Sequence, residues 1–207
     1  MKAHNDYFLT DRENRNFLNY YWFENGLSEE EIQKIDDQIR KQLKDTNTTL
    51  NDGVIFSEKD DLETIHKVRK SKIAWIQEGD EWQWLYDKFI DMTDIANKKM
   101  WNLELVGMTE KIQYSHYEGD GSHYSWHMDI GQGHAVRRKI SIAVQLSDPK
   151  DYEGGDFEFM LRADKTVVPR NKGAVVLFPS FMLHKVTPVT KGLRKSLVAW
   201  VSGPCWK

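Results

Sequence analysis

The sequence predicts a mainly β protein, an all-β sandwich or barrel preceded by helices. Three observations carry this expectation. From residue 101 onward, short β-rich runs alternate with Gly, Pro, Asn and Asp turn signals. Before residue 100, two stretches place apolar residues at helical spacing. Forty per cent of the 207 residues are apolar, with 8 Trp, 9 Phe and 8 Tyr, enough to fill a sizeable core. The length suggests one domain over residues 1–207, with 1–100 mainly helical support and 101–207 the β core.

Taken in order, residues 1–27 alternate polar and aromatic positions without a clean period. Ser28 with Glu31 forms a capping box, and Ile32, Ile35, Ile39 and Leu43 then share one helical face. "KDTNTTLNDG" closes that helix and reads as loop. A short apolar piece, "GVIF", precedes a charged stretch, 57–70, that reads as a solvated surface helix or, alternatively, a mobile loop. "SKIAWI" alternates and reads as a strand. Asp80 is placed to cap the next helix with Gln83 at its third position, and Trp82, Leu85, Phe89, Met92 and Ile95 give it a buried stripe. Seven strands are then expected: "LELVGM", "KIQYSHY", "KISIAVQL", "DFEFML", "AVVLFP", "HKVTPV" and "SLVAWVSG".

A net charge of -3 gives no reason to expect nucleic acid or a membrane surface as partner. The single cysteine, Cys205, excludes an internal disulfide and a Cys-based zinc cluster, and suits a reducing compartment. No apolar leader opens the chain and no run approaches about 18 apolar residues. A soluble, cytoplasmic protein is the expectation.

One constellation points to chemistry. His127 and Asp129 lie two apart, so on a strand both side chains leave the same face. Alone, H-x-D is a weak motif. His184 supplies a second imidazole, and two His with one carboxylate make the facial triad of non-haem Fe(II) oxygenases, with open coordination positions. Arg194 follows ten residues later and shares a strand face with Ser196, Val198 and Trp200. A buried guanidinium requires an anion, and its planar fork suits one carboxylate of a dicarboxylic acid. A zinc hydrolase using the same three ligands would leave Arg194 without a role.

The pattern H-x-D, distant H, then R-x-S resembles the 2-oxoglutarate- and Fe(II)-dependent dioxygenases. It is most similar to the prolyl 4-hydroxylase group, including the oxygen-sensing and bacterial enzymes. "YEGDGSHYSWHMD", "RKISIAVQLSD", "YEGGDFEF" and "VRKSKIAWIQEG" resemble segments of those enzymes, so the likeness runs over about residues 68–201. It implies a double-stranded β-helix (jelly-roll) core with supporting N-terminal α-helices. It implies His127, Asp129 and His184 as iron ligands, with no catalytic side chain beyond the metal centre. Arg194 would hold the distal carboxylate of 2-oxoglutarate, with Tyr117 nearby. Gln145 stands where the oxygen-sensing enzymes have a tyrosine on that carboxylate; its amide can donate instead. Arg138, Arg69, Tyr124 and Trp200 fall at positions that line the substrate, and 57–70 precedes the matching strand as a candidate substrate cover.

The activity so implied is hydroxylation of a prolyl residue in a protein or peptide. Fe(II), 2-oxoglutarate and O₂ take part, ascorbate is a plausible reductant, and hydroxyproline, succinate and CO₂ are the products. The alternatives are hydroxylation of a free amino acid or other small molecule, and a non-catalytic jelly-roll binding protein. His116, His123 and His134 lack the facial-triad register and are expected outside the metal site.

Overall fold

The computed structural model describes residues 19–53, 62–76, 79–161 and 164–206. The expectations for 1–18, for "GVIF" beyond Gly53 and for 57–61 lie outside the described residues. The elements run β1 (Tyr21–Phe23), α1 (Glu29–Asp45), β2 (Asn51–Asp52), α2 (Leu62–Val68), β3 (Arg69–Lys70), β4 (Lys72–Trp75), α3 (Asp80–Met100), β5 (Gln113–Glu118) and β6 (Ser122–His127). They continue with β7 (Arg138–Gln145), β8 (Tyr152–Gly154), β9 (Phe157–Leu161), β10 (Asp164–Val167), β11 (Val175–Pro179) and β12 (His184–Ser202).

Two antiparallel sheets form a jelly-roll. The major sheet runs β1-β11-β7-β12-β5-β4-β2, and the minor sheet joins β3, β6, β8, β9 and β10 to the first half of β12. "HKVTPV" and "SLVAWVSG" are therefore one 19-residue strand, not two. Its first half pairs in the minor sheet and its second half, from Leu193, pairs with β5 and β7 in the major sheet. Gly192 makes the crossing, because its φ of +75° lies in the region glycine tolerates and a Cβ there would stand 1.9 Å from the Asp151 carbonyl.

The two faces of β7 show why this sequence makes layers. Ile140, Ile142 and Val144 pack outward against Ile35 and Ile39 of α1 and Trp82, Leu85 and Phe89 of α3. Ser141, Ala143 and Gln145 alternate with them and face the barrel interior. Each fully buried aromatic or aliphatic side chain in that outer core contributes roughly 1.5–3 kcal/mol. The Ser28–Glu31 capping box of α1 is present as expected. Helix α3 differs: Gly79 is its N-cap, Asp80 is already inside the first turn, and no side chain caps it. Asp80 and Glu81 still favour that end through the helix dipole. Ile95 is 43% exposed and the stripe closes on buried Ala96 instead.

"LELVGM" does not form a strand. Leu103 is held by the Asn97 side chain, and Gly107, at φ +137°, makes only an isolated bridge to Ser202. Conversely β1, β2 and β3, each two or three residues long, were not legible.

Helix α1 is anchored to the major sheet through Asp36, which accepts from Tyr114 Oη (3.0 Å) and pairs with Lys195 Nζ. Tyr114 Oη also meets His116 Nε2 at 3.0 Å. Burial, then the Lys195 charge, lowers the His116 pKa to about 4, so His116 is neutral in this network. Asp36→Ala leaves the Lys195 ammonium unpaired at a half-buried position. The expected loss is about 2 kcal/mol, below the 3–5 kcal/mol of a fully buried broken pair, or about 4–8 °C in Tm. Calorimetry of metal-free protein checks this, and an unchanged Tm would show the network to be dispensable.

Candidate metal centre and its cavity

β6 ends at His127, and β12 begins at His184 directly opposite it in the antiparallel register. Two imidazoles 57 residues apart in sequence thus stand with ring centroids 4.1 Å apart. Each Nδ1 lies 2.8 Å from a backbone carbonyl two residues back, Ser125 for His127 and Met182 for His184. Those bonds require Nδ1 to be the donor and leave the Nε2 lone pair available.

Asp129 lies two residues past the end of β6, so the same-face argument for a strand does not place it. Backbone bonds do. Its N–H donates to the Ser180 carbonyl (2.9 Å), and its carbonyl accepts from Arg138 Nη1 (3.0 Å). Its Oδ1 then sits 3.7 Å from both His127 Nε2 and His184 Nε2, and one ligand atom from each of the three residues lies within 4.8 Å of the others.

Electrostatics favour a cation here. Asp129 and His184 are buried, and Asp129 Oδ2 has no hydrogen-bond partner among the described residues. Burial, then the neighbouring His184 charge, pushes the His127 pKa down, which keeps its lone pair unprotonated. Two imidazoles that present Nε2 and a carboxylate with an orphaned oxygen fit a divalent first-row metal with open positions.

Arg194 lies in the same cavity of about 260 Å³, which the triad also lines. It is 2% exposed. Nη2 donates to Gln145 Oε1 (2.9 Å), and the guanidinium stands 5.3 Å from the Tyr117 ring centre. Nε and Nη1 are buried with no partner among the described residues. An unsatisfied buried cation is costly, so these two donors call for an anion. Gly155, at φ +64°, lets the stem pass; a Cβ there would meet Arg194 Cδ at 2.9 Å. Arg194, Ser196, Val198 and Trp200 all line the cavity, as period two on β12 requires. For Gln145 the contact differs from the expected one, since its oxygen accepts from Arg194.

The remaining wall is aromatic. The Tyr124 ring stacks on His127 at 3.4 Å and 15°, with the Arg69 guanidinium 4.7 Å beyond it. Burial raises the Tyr124 pKa to about 12, so its hydroxyl stays protonated. Trp200 stands 6.2 Å from Trp75, which is 39% exposed, and Arg138 lies over the Trp200 face at 3.8 Å. Arg69 and Arg138 are buried cavity residues and not solvated surface charges. His116, His123 and His134 lie outside the ligand group: His116 meets Tyr114, His123 the Gly121 carbonyl (2.9 Å) and His134 Glu110 (3.1 Å). Sequence reasoning passed over Glu110 and Ser180, which carried no motif.

Residues 112–202 match the family model of the 2OG-Fe(II) oxygenase superfamily, a span that contains the triad and Arg194. Over this span the chain is similar to members of that superfamily. Among curated relatives, a PKHD-type hydroxylase of Synechococcus sp. (strain CC9902) is 32% identical over 115 residues, 55% of this chain and 51% of that protein. The chain therefore spans about half that relative's length. Two solved structures share the superfamily's jelly-roll. A Pseudomonas putida prolyl-4-hydroxylase aligns with a TM-score of 0.67 at 19% identity, over 89% of this chain and 92% of the other. A Trichoplax adhaerens prolyl hydroxylase, in complex with a hypoxia inducible factor oxygen degradation domain peptide fragment, aligns at 0.72 and 18% identity, over 89% and 83%. Among the described residues, no helix is long and apolar enough to cross a membrane.

Proposed function

We propose that the chain hydroxylates a prolyl residue in a protein or peptide, with 2-oxoglutarate and O₂ as co-substrates and succinate and CO₂ as co-products. One observation carries the oxygenase reading: a His–Asp–His cluster shares a cavity with an Arg194 whose buried Nε and Nη1 have no partner among the described residues. His127, Asp129 and His184 would hold Fe(II), which when bound supplies the redox chemistry for activating O₂ against a C–H bond. Arg194 would bind the far carboxylate of 2-oxoglutarate, positioned by Gln145 and Tyr117. The Ser125 and Met182 carbonyls keep both ligand imidazoles in the tautomer that presents Nε2. Phe157, Phe178 and Ala143 give the cavity a dry wall that excludes water.

The prolyl assignment has separate support. Tyr124, Trp75, Trp200 and Val198 offer an apolar aromatic wall suited to a proline ring. The two solved neighbours described above are prolyl hydroxylases by name, one with a peptide bound.

The test incubates protein, Fe(II), 2-oxoglutarate and ascorbate with proline-containing peptides under air. Succinate should form together with a gain of one oxygen atom on proline. Succinate formation with free amino acids but with no peptide would transfer the assignment to a small-molecule hydroxylase. Neither succinate nor metal binding would remove the oxygenase reading altogether.

A further inference from the structure

Asp129 is the one metal-site residue that no strand ladder holds. His127 and His184 close a pair in the β6–β12 register, whereas Asp129 projects from a loop. Its backbone is pinned at two points, the Ser180 carbonyl on one side and Arg138 Nη1 on the other. The Arg138 guanidinium is held in turn. Nε donates to Glu110 Oε1 at 2.7 Å, Nη2 donates to Glu110 Oε2, and the flat face lies on Trp200 at 3.8 Å. The Arg138 carbonyl meanwhile accepts from Trp206 Nε1 (3.3 Å). Arg138 is 4% exposed, and the Glu110 side chain is 10% exposed.

We infer that Arg138, oriented by Glu110, is a positioning residue that fixes Asp129 at the metal-binding point. All three guanidinium nitrogens already make hydrogen bonds inside the protein. Three of its five N–H donors are thereby committed, and a substrate group that took over any of these three would displace Glu110 or release Asp129. The forked pair with Glu110 fixes the plane of the guanidinium, so Nη1 points at one place. Lysine keeps the charge but has no plane to fix, and cannot hold Glu110 and the Asp129 carbonyl in the same geometry. This inference rests on the proposed metal site, and it assigns Glu110 a role that no motif suggested.

The experiment measures Mn(II) affinity by calorimetry, and the visible absorption of the Co(II)-loaded protein, for wild type, Arg138→Lys, Glu110→Gln and the double variant. Residues that orient metal ligands typically change affinity by about 10–100-fold when replaced. Arg138→Lys is expected to weaken Mn(II) binding about 10-fold or more and to alter the Co(II) spectrum. Glu110→Gln keeps one acceptor and should weaken it less. Because Glu110 acts through Arg138, the double variant should bind no worse than Arg138→Lys alone. Wild-type Mn(II) affinity in both single variants, with only the KM for substrate raised, would overturn the inference and return Arg138 to the substrate. Additive losses in the double variant would overturn Glu110's place in it. Failure of the wild-type protein to bind Mn(II) would sink the metal site and the inference with it. Should Arg138→Lys not fold, the affinity and spectrum of Glu110→Gln still decide, since unchanged values there overturn the clamp.

Discussion

Asp129→Ala is expected to leave a folded protein that neither binds Mn(II) nor converts 2-oxoglutarate. The carboxylate is the only anion among the three ligands, and both imidazole Nε2 atoms converge on its Oδ1 at 3.7 Å. Without it, a divalent cation in this buried site meets two imidazole nitrogens and no carboxylate. The fold should survive, because the carboxylate's Ser141 contact is replaceable by the Ser141–Ser180 hydroxyl bond, and the backbone contacts to Ser180 and Arg138 remain. Two readouts separate metal from structure. A hundredfold excess of Mn(II) over its Kd stabilises a binding protein by about 2.7 kcal/mol, which at this chain length raises Tm by about 5–11 °C. Wild type should show that rise and Asp129→Ala none, while both unfold cooperatively without metal. Turnover should fall to background in parallel. A variant that keeps the Mn(II)-dependent rise, or keeps activity, would show that Asp129 is not a ligand.

That prediction also marks where sequence reading stops. The convergence of His127, Asp129 and His184 on one cavity with Arg194 was legible because metal and carboxylate chemistry restrict residue types strongly. The reason given for Asp129 was wrong in detail, since no strand carries it and two long-range backbone bonds do the work. Such bonds depend on Ser180 and Arg138 arriving from elsewhere in the chain, which no local period encodes. The same holds for β12. Gly192 reads as a turn in sequence, yet here its positive φ lets one strand pass from sheet to sheet without stopping. Strand alternation did transfer cleanly to Arg194, Ser196, Val198 and Trp200, because both neighbours of that half-strand are regular. Local signals failed at Asp80 and at "LELVGM", where tertiary partners decided: Gly79 begins the helix, and Asn97 with Ser202 holds the chain off a ladder.

Arg194→Met should leave metal binding intact and remove most of the affinity for 2-oxoglutarate. Methionine keeps much of the stem that packs beside Gly155 and Tyr117, so the change deletes donors more than volume. Two donors, Nε and Nη1, are free for an anion, and hydrogen bonds to charged groups contribute about 1.5–3 kcal/mol each. Their joint loss, at about 1.4 kcal/mol per tenfold, predicts at least a hundredfold rise in the Kd for 2-oxoglutarate. Calorimetry on the Mn(II)-loaded protein measures this directly, and the KM for 2-oxoglutarate should rise by a similar factor. Metal-free Arg194→Met is expected to be no less stable than wild type, since it removes a buried cation whose Nε and Nη1 have no partner. That pairing of outcomes is diagnostic. A guanidinium placed for structure alone would cost stability and spare 2-oxoglutarate, whereas one placed for a co-substrate does the reverse. A Kd within threefold of wild type would therefore take the carboxylate away from Arg194 and leave its two buried donors without a reason.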